Sequence, residues 1–137
     1  VYPKDIENIA DIVTYKPSET EIDSGYTTSK SIIADHDVTT GKKCTFGGSI
    51  KCHGDLIIVD NCTISGNLFA EGCITIGKNC KIRGSVFSQC GVTISEGSQV
   101  GVPGEYVSVI GKQAIVLKDN INIFGYLLTE GQGVVQC

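Results

Sequence analysis

An internal repeat of 18 residues constrains this chain more than any other feature. Cys44 to Asn61 aligns without gaps on Cys62 to Asn79, and Cys80 to Gly97 is a third copy of equal length. Ser98 to Asn120 is a fourth copy once Gly101 to Glu105 are looped out. Ile121 to Cys137 is a fifth, one residue short, and residues 26 to 43 carry a weaker copy upstream. A unit this small cannot bury its own hydrophobic face, so it must stack on copies of itself.

The apolar positions inside the repeat are fixed. Position 1 holds Cys44, Cys62 and Cys80, and position 3 holds Phe46, Ile64, Ile82, Val100 and Ile123. Position 7 reads Ile32, Ile50, Leu68, Val86, Val109 and Leu127, while position 9 stays small: Ala34, Cys52, Ala70, Ser88, Gly111 and Thr129. Position 13 gives Val38, Leu56, Ile74, Val92 and Ile115, and position 15 gives Thr40, Ile58, Ile76, Ile94 and Leu117. Inward positions thus fall in pairs two apart, and the pairs recur every six residues. Two-residue alternation puts each pair on one face of a strand, so each coil has three short strands.

The predicted fold is all-β: a single-stranded β-helix, or β-solenoid, of about six triangular 18-residue coils over residues 26–137. At ~4.8 Å per coil the rod is ~29 Å long. Gly48, Gly66, Gly84 and Gly125 at position 5, with Gly54, Gly72 and Gly131 at position 11, supply corners where positive φ or close approach is needed. Asn61, Asn79 and Asn120 close coils, and Asn tolerates the left-handed conformation. A helical alternative fails because the periods are two and six rather than 3.6, and glycine at this density would melt a helix. Residues 1–25 lack the repeat. Pro3 followed by Ile6, Ile9, Ala10 and Val13 predicts a short helix, and the stretch from Lys16 to Glu21 a linker. The segment reads as a tail, as a cap over the first coil, or as a docking arm.

Composition narrows the function classes. A net charge of -4 with scattered basic residues excludes a nucleic-acid footprint, which needs clustered Lys and Arg. The seven cysteines are odd in number and form no C-x-x-C pair, which favours a reduced compartment over a secreted disulfide scaffold. No apolar run approaches a membrane span and no signal peptide is visible, although the chain starts at Val1 and a leader or anchor is compatible with that start.

With the repeat laid out, Ser31-Ile-Ile followed by Gly48-Ser-Ile, Gly54-Asp-Leu-Ile-Ile, Ser65-Gly-Asn-Leu and Arg83-Gly-Ser-Val resembles the bactofilins, polymer-forming bacterial cytoskeletal proteins. The resemblance covers about residues 29 to 137 and rests on a Gly-hydrophobic cadence. It implies a right-handed triangular β-helix that polymerises end to end without nucleotide. It also implies a cytoplasmic location near the membrane and partners among envelope or morphogenesis proteins. The cysteine content, the insertion from Gly101 to Glu105 and the longer N-terminal segment depart from the family pattern.

Catalytic apparatus is sparse. The column formed by Cys44, Cys62 and Cys80 reads as small residues filling a solenoid corner rather than as a metal or redox centre, since no zinc spacing or ligand His accompanies it. Cys73, Cys90 and Cys137 fall near corners or the end, where crosslinking between molecules is an option in an oxidising compartment. His36 and His53 lie on one edge of adjacent coils with Asp35, Asp37 and Asp55 nearby, yet no third ligand is implied. No nucleophile elbow or phosphate loop occurs. The prediction is a non-enzyme with no cofactor, no metal and no small-molecule substrate. The rival reading is a left-handed β-helix enzyme of the hexapeptide acyltransferase or γ-carbonic anhydrase type, with His53 as the candidate catalytic residue. The latter needs three zinc histidines and this chain has two.

A solenoid has two open ends, and an uncapped one invites the next molecule to continue the stack. Phe124, Tyr126, Leu127, Leu128 and Val135 crowd the last coil without a polar cap, so Phe124, Tyr126, Leu127 and Val135 are the predicted polymerisation contact. The insertion, with Val102, Pro103 and Tyr106, is the candidate partner loop or else a tolerated surface insertion.

Overall fold

A computed structural model describes residues 12–15 and 21–135, and over these the chain contains strands, turns and bends but no helix. The strands form three parallel sheets, one along each side of a prism. The first sheet runs in spatial order Ile12–Tyr15, Ser31–Ala34, Ile50–Cys52, Leu68–Ala70, Val86–Ser88, Val107–Gly111 and Gly125–Leu128. The second stacks Val38–Thr39, Leu56–Ile58, Ile74–Ile76, Gly91–Ile94, Ala114–Leu117 and Gln132–Val135. The third stacks Thr27–Thr28, Thr45–Phe46, Thr63–Ile64, Lys81–Ile82, Gln99–Val100 and Asn122–Ile123. Each strand pairs with the strand one coil away, which is a β-solenoid of about six coils.

Register follows the repeat. Ile50 pairs with Leu68, Leu68 with Val86, Val86 with Val109 and Val109 with Leu127. Phe46, Ile64, Ile82 and Val100 form a second ladder, and Leu56, Ile74 and Val92 a third beside Ile58, Ile76 and Ile94. Except for Leu127 at the end of the first ladder, these side chains are buried, together with Cys44, Cys62 and Cys80. A one-residue slip would turn every one of them to solvent, so the buried face fixes the pairing.

The solenoid begins earlier than residue 26. The strand Ile12–Tyr15 pairs parallel with Ser31–Ala34, placing Val13 on Ile32, and Glu21 bridges Thr39. Ile22 is buried in the core. The helix expected from Pro3 falls mostly on residues 1–11, outside the described residues, but its last member, Val13, is in a strand. Ile-Val-Thr-Tyr is a β-branched and aromatic run, and the edge of Ser31–Ala34 offers it unpaired backbone groups. The linker expected from Lys16 to Glu21 falls on residues 16–20, also outside the described residues, apart from Glu21.

Three devices make the corners. The last repeat position is left-handed wherever it is described: Gly25, Lys43, Asn61, Asn79, Gly97 and Asn120 have φ of 78, 58, 63, 55, 77 and 57°. The corner glycines Gly48, Gly54, Gly66 and Gly72 serve close approach instead. A Cβ on Gly66 would stand 2.5 Å from the Gly48 carbonyl carbon, and one on Gly72 would stand 2.7 Å from that of Gly54. Polar side chains then take up corner amides of the following coil. The Ser49, Asn67, Ser85 and Ser108 N–H groups donate to Ser31 Oγ, Ser49 Oγ, Asn67 Oδ1 and Ser85 Oγ at 3.0, 2.9, 2.8 and 3.1 Å. These amides lie at the start of the strands of the first sheet, and each finds its partner on the preceding coil.

Candidate functional site

Among the described residues, nothing stacks on the last coil of the core. Leu127 continues the ladder of Val109, which is fully buried, yet Leu127 is 47% exposed. Val135 continues the ladder of Ile94 and Leu117 and is 67% exposed. Both side chains occupy inward registers, so they are exposed because no described residue stacks on them rather than because they face outward. Ile121, Ile123 and Phe124 are half-buried beside them. The strands Gly125–Leu128 and Gln132–Val135 are each the outermost of their sheet, so among the described residues one side of each has no partner strand. Tyr126 points outward, 64% exposed, its ring 6.2 Å from that of Tyr106. Of the four residues expected at a contact, Leu127 and Val135 line the open rim, Phe124 borders it and Tyr126 flanks it.

The insertion folds as a tight turn. Val102 and Glu105 form an antiparallel bridge, with the Glu105 N–H donating to the Val102 carbonyl at 3.1 Å. Pro103 followed by Gly104 at φ 87° is the residue pattern of a type II turn. Arg83 Nη2 donates to Glu105 Oε2 at 2.8 Å and tethers the turn to the preceding coil. Pro103 and Tyr106 are exposed, and Val102 is half-buried.

The position-1 column has a definite local role. The Cys44, Cys62 and Cys80 thiols donate to the carbonyls of Asp23, Gly41 and Val59 at 3.2, 3.2 and 3.3 Å, each 21 residues back. Ser98, next in the column, donates its hydroxyl to the Gly77 carbonyl at 2.7 Å, again 21 residues back. The column is therefore a row of small donors that satisfy the same corner carbonyl in successive coils. Burial raises the pKa of Cys44; for Cys80 the hydrogen bond with Cys62, with burial, does so. Cys52, at position 9 between Ala34 and Ala70, is pushed up to about 11 by burial. The thiols of Cys44, Cys52 and Cys80 thus stay protonated at neutral pH, as a donor must, whereas the hydrogen bond with Cys80 lowers Cys62 to about 6.

The two histidines do not converge. His36 Nδ1 lies 2.8 Å from Asp35 Oδ1, and His53 Nδ1 lies 2.7 Å from Glu71 Oε2 one coil on. Among the described residues no group of three or more His, Cys, Asp or Glu side chains comes together as a metal site. Asp37 and Asp55 are spent on the backbone: their Oδ1 atoms accept the N–H groups of Asp55 and Cys73, each at 2.8 Å.

Two features escaped the sequence reading. Cys73 and Cys90 are joined by a disulfide across adjacent coils, with Cα atoms 4.8 Å apart, whereas the odd cysteine count suggested free thiols; Cys137 lies outside the described residues. The signal was a spacing of 17, one short of the repeat, which sets two corner residues side by side. The second is an outward ladder on the first sheet, Ile33, Lys51, Phe69, Phe87, Ile110 and Leu128. Phe69 and Phe87 stack with centroids 5.1 Å apart, and Lys51 Nζ lies 5.1 Å over the Phe69 ring. Position 8 carried that signal in the sequence, but only the inward registers were read.

No helix among the described residues is long and apolar enough to cross a membrane. Comparison with family models, with curated proteins and with solved structures returns no match to this chain.

Proposed function

We propose that this chain is a structural, self-assembling scaffold whose copies polymerise end to end through their terminal coils, in the manner the bactofilin resemblance implies. The observation that carries this reading is the exposure of Leu127 and Val135 in inward registers. Apolar surface of that kind is stabilised at ~25 cal/mol per Å² when covered, and the unpaired edges of Gly125–Leu128 and Gln132–Val135 supply the hydrogen bonds for a further coil. On this reading the partner is the protein itself, joined by envelope or membrane-associated proteins, with no catalysis and no cofactor. The proposed location is the cytoplasm near a membrane, where glutathione and thioredoxin would keep Cys73 and Cys90 reduced. The enzyme reading gains no support from His53, which is held by Glu71.

Negative-stain microscopy and sedimentation of the purified chain test the proposal. Filaments are expected from the parent protein. The double substitution Phe124→Arg and Leu127→Arg should give monomers with an unchanged β circular-dichroism signature. Filaments that survive both substitutions, or a parent protein that stays monomeric at high concentration, would overturn it.

A further inference from the structure

The corner between the first and second sheets is held differently at successive junctions. Asp37 Oδ1 accepts the Asp55 N–H and Asp55 Oδ1 accepts the Cys73 N–H, each at 2.8 Å, so carboxylates tie the first three repeat coils together there. At the next junction the series stops, because Cys73 occupies the register that Asp37 and Asp55 hold. Cys90, 17 residues on, is bonded to it instead. Non-covalent links also remain there: Ser88 Oγ donates to the Gly72 carbonyl at 2.6 Å and accepts the Cys90 N–H at 3.0 Å, and the Gln89 N–H donates to the Ala70 carbonyl at 3.1 Å. Cys73 and Cys90 are half-buried, whereas Cys44, Cys52, Cys62 and Cys80 are buried and free. Among the described cysteines, this pair is the one that a reagent in solvent reaches.

We propose that the Cys73–Cys90 disulfide is a redox-operated clasp between neighbouring coils, so that thiol chemistry sets how firmly the solenoid holds at that single junction. A dithiol reductant opens it in two steps. Its thiolate attacks one cysteine sulfur, and the other cysteine leaves as a thiolate and takes up a proton. The second thiol of the reductant then displaces the first cysteine as a thiol and closes the reductant's own disulfide. Two electrons and two protons pass to the protein, and a disulfide oxidant such as oxidised glutathione reverses the exchange. The parallel pairing of Phe87 on Phe69 and of Val92 on Ile74 does not involve the sulfurs. The reduced coils therefore stay stacked and the corner alone loosens. This inference is independent of the assembly reading.

The test uses the full chain in two states, one oxidised with glutathione disulfide and one reduced with dithiothreitol, each alkylated and mapped by mass spectrometry. The expected result is a linked peptide containing Cys73 and Cys90 in the oxidised state only. The melting temperature should fall on reduction by roughly 5–10 °C, reversibly, as the short loop loses its closure. Proteolysis between Glu71 and Gly91 should accelerate in step. Cys73→Ser should melt near the reduced parent and ignore the reductant. The proposal is overturned if Cys73 and Cys90 alkylate freely after oxidation, if both states melt together, or if reductant shifts Cys73→Ser as far as the parent. Should that variant fail to fold, the reversible comparison in the parent chain still decides.

Discussion

A residue at the first repeat position has to be small enough for a corner and has to donate to a carbonyl 21 residues back. Cysteine and serine meet both demands, and Cys44, Cys62, Cys80 and Ser98 are those residues. This accounts for much of the cysteine content without metal or redox chemistry. It also predicts an ordering of variants. Cys80→Ser keeps a donor in geometry that Ser98 already demonstrates and should lower stability by less than about 1 kcal/mol, whereas Cys80→Val takes away the thiol that donates to the Val59 carbonyl and should cost about 1–3 kcal/mol. Urea unfolding followed by circular dichroism measures both, and equal loss in the two variants would remove the donor role. The sequence made the column legible as a period but not as a set of donors, because the carbonyl it serves lies 21 residues back, three positions beyond one repeat. The left-handed column was half-legible for a related reason. Asn61, Asn79 and Asn120 announce it, while Lys43 adopts the same φ of 58° with no such preference in its side chain.

At the scale of elements, the turn from Val102 to Glu105 changes what the following strand can carry. Val107 pairs with Gly125 and occupies the repeat position that is glycine in Gly48, Gly66 and Gly84. A Cβ at Gly84 would meet the Gly66 carbonyl oxygen at 2.3 Å, so that corner has no room for a valine on the direct path. The five inserted residues let the chain swing wide, and Val107 packs half-buried against the core instead. Removing Gly101 to Glu105 should therefore lower the melting temperature by several degrees, and adding Val107→Gly to that deletion should recover most of the loss. Thermal denaturation of both variants checks this, and a deletion that melts like the parent would refute it. The exposed Arg83–Glu105 ion pair lost with the loop contributes little by itself. The insertion's length was readable by aligning the repeat, whereas its coupling to a valine at a glycine corner needed the corner's dimensions. The strand Ile12–Tyr15 was hidden for the converse reason, since it joins the first sheet through its backbone without the glycine corners that mark a coil in the sequence.

For the whole molecule, each coil contacts only its neighbours, so stability is close to a sum of coil and junction terms. An interior coil has two neighbours and the last described coil has one. The amides of Ile50–Cys52, Leu68–Ala70 and Val86–Ser88 lie between paired strands on both sides. Those of Gly125–Leu128 and Gln132–Val135 lie at an edge above side chains that are 47% to 67% exposed at Leu127 and Val135. Local opening should therefore be easiest at this end. Hydrogen exchange at low protein concentration is expected to be slowest across residues 50–94 and fastest across residues 121–135. If copies stack on the open rim, protection at residues 121–135 must rise with protein concentration while the interior stays unchanged, because only the rim gains a neighbour. Phe124→Arg with Leu127→Arg should abolish that rise and leave interior exchange as it was. Protection at the rim that is already high in dilute solution, or that never depends on concentration, would mean that the exposed ladder is not where molecules meet.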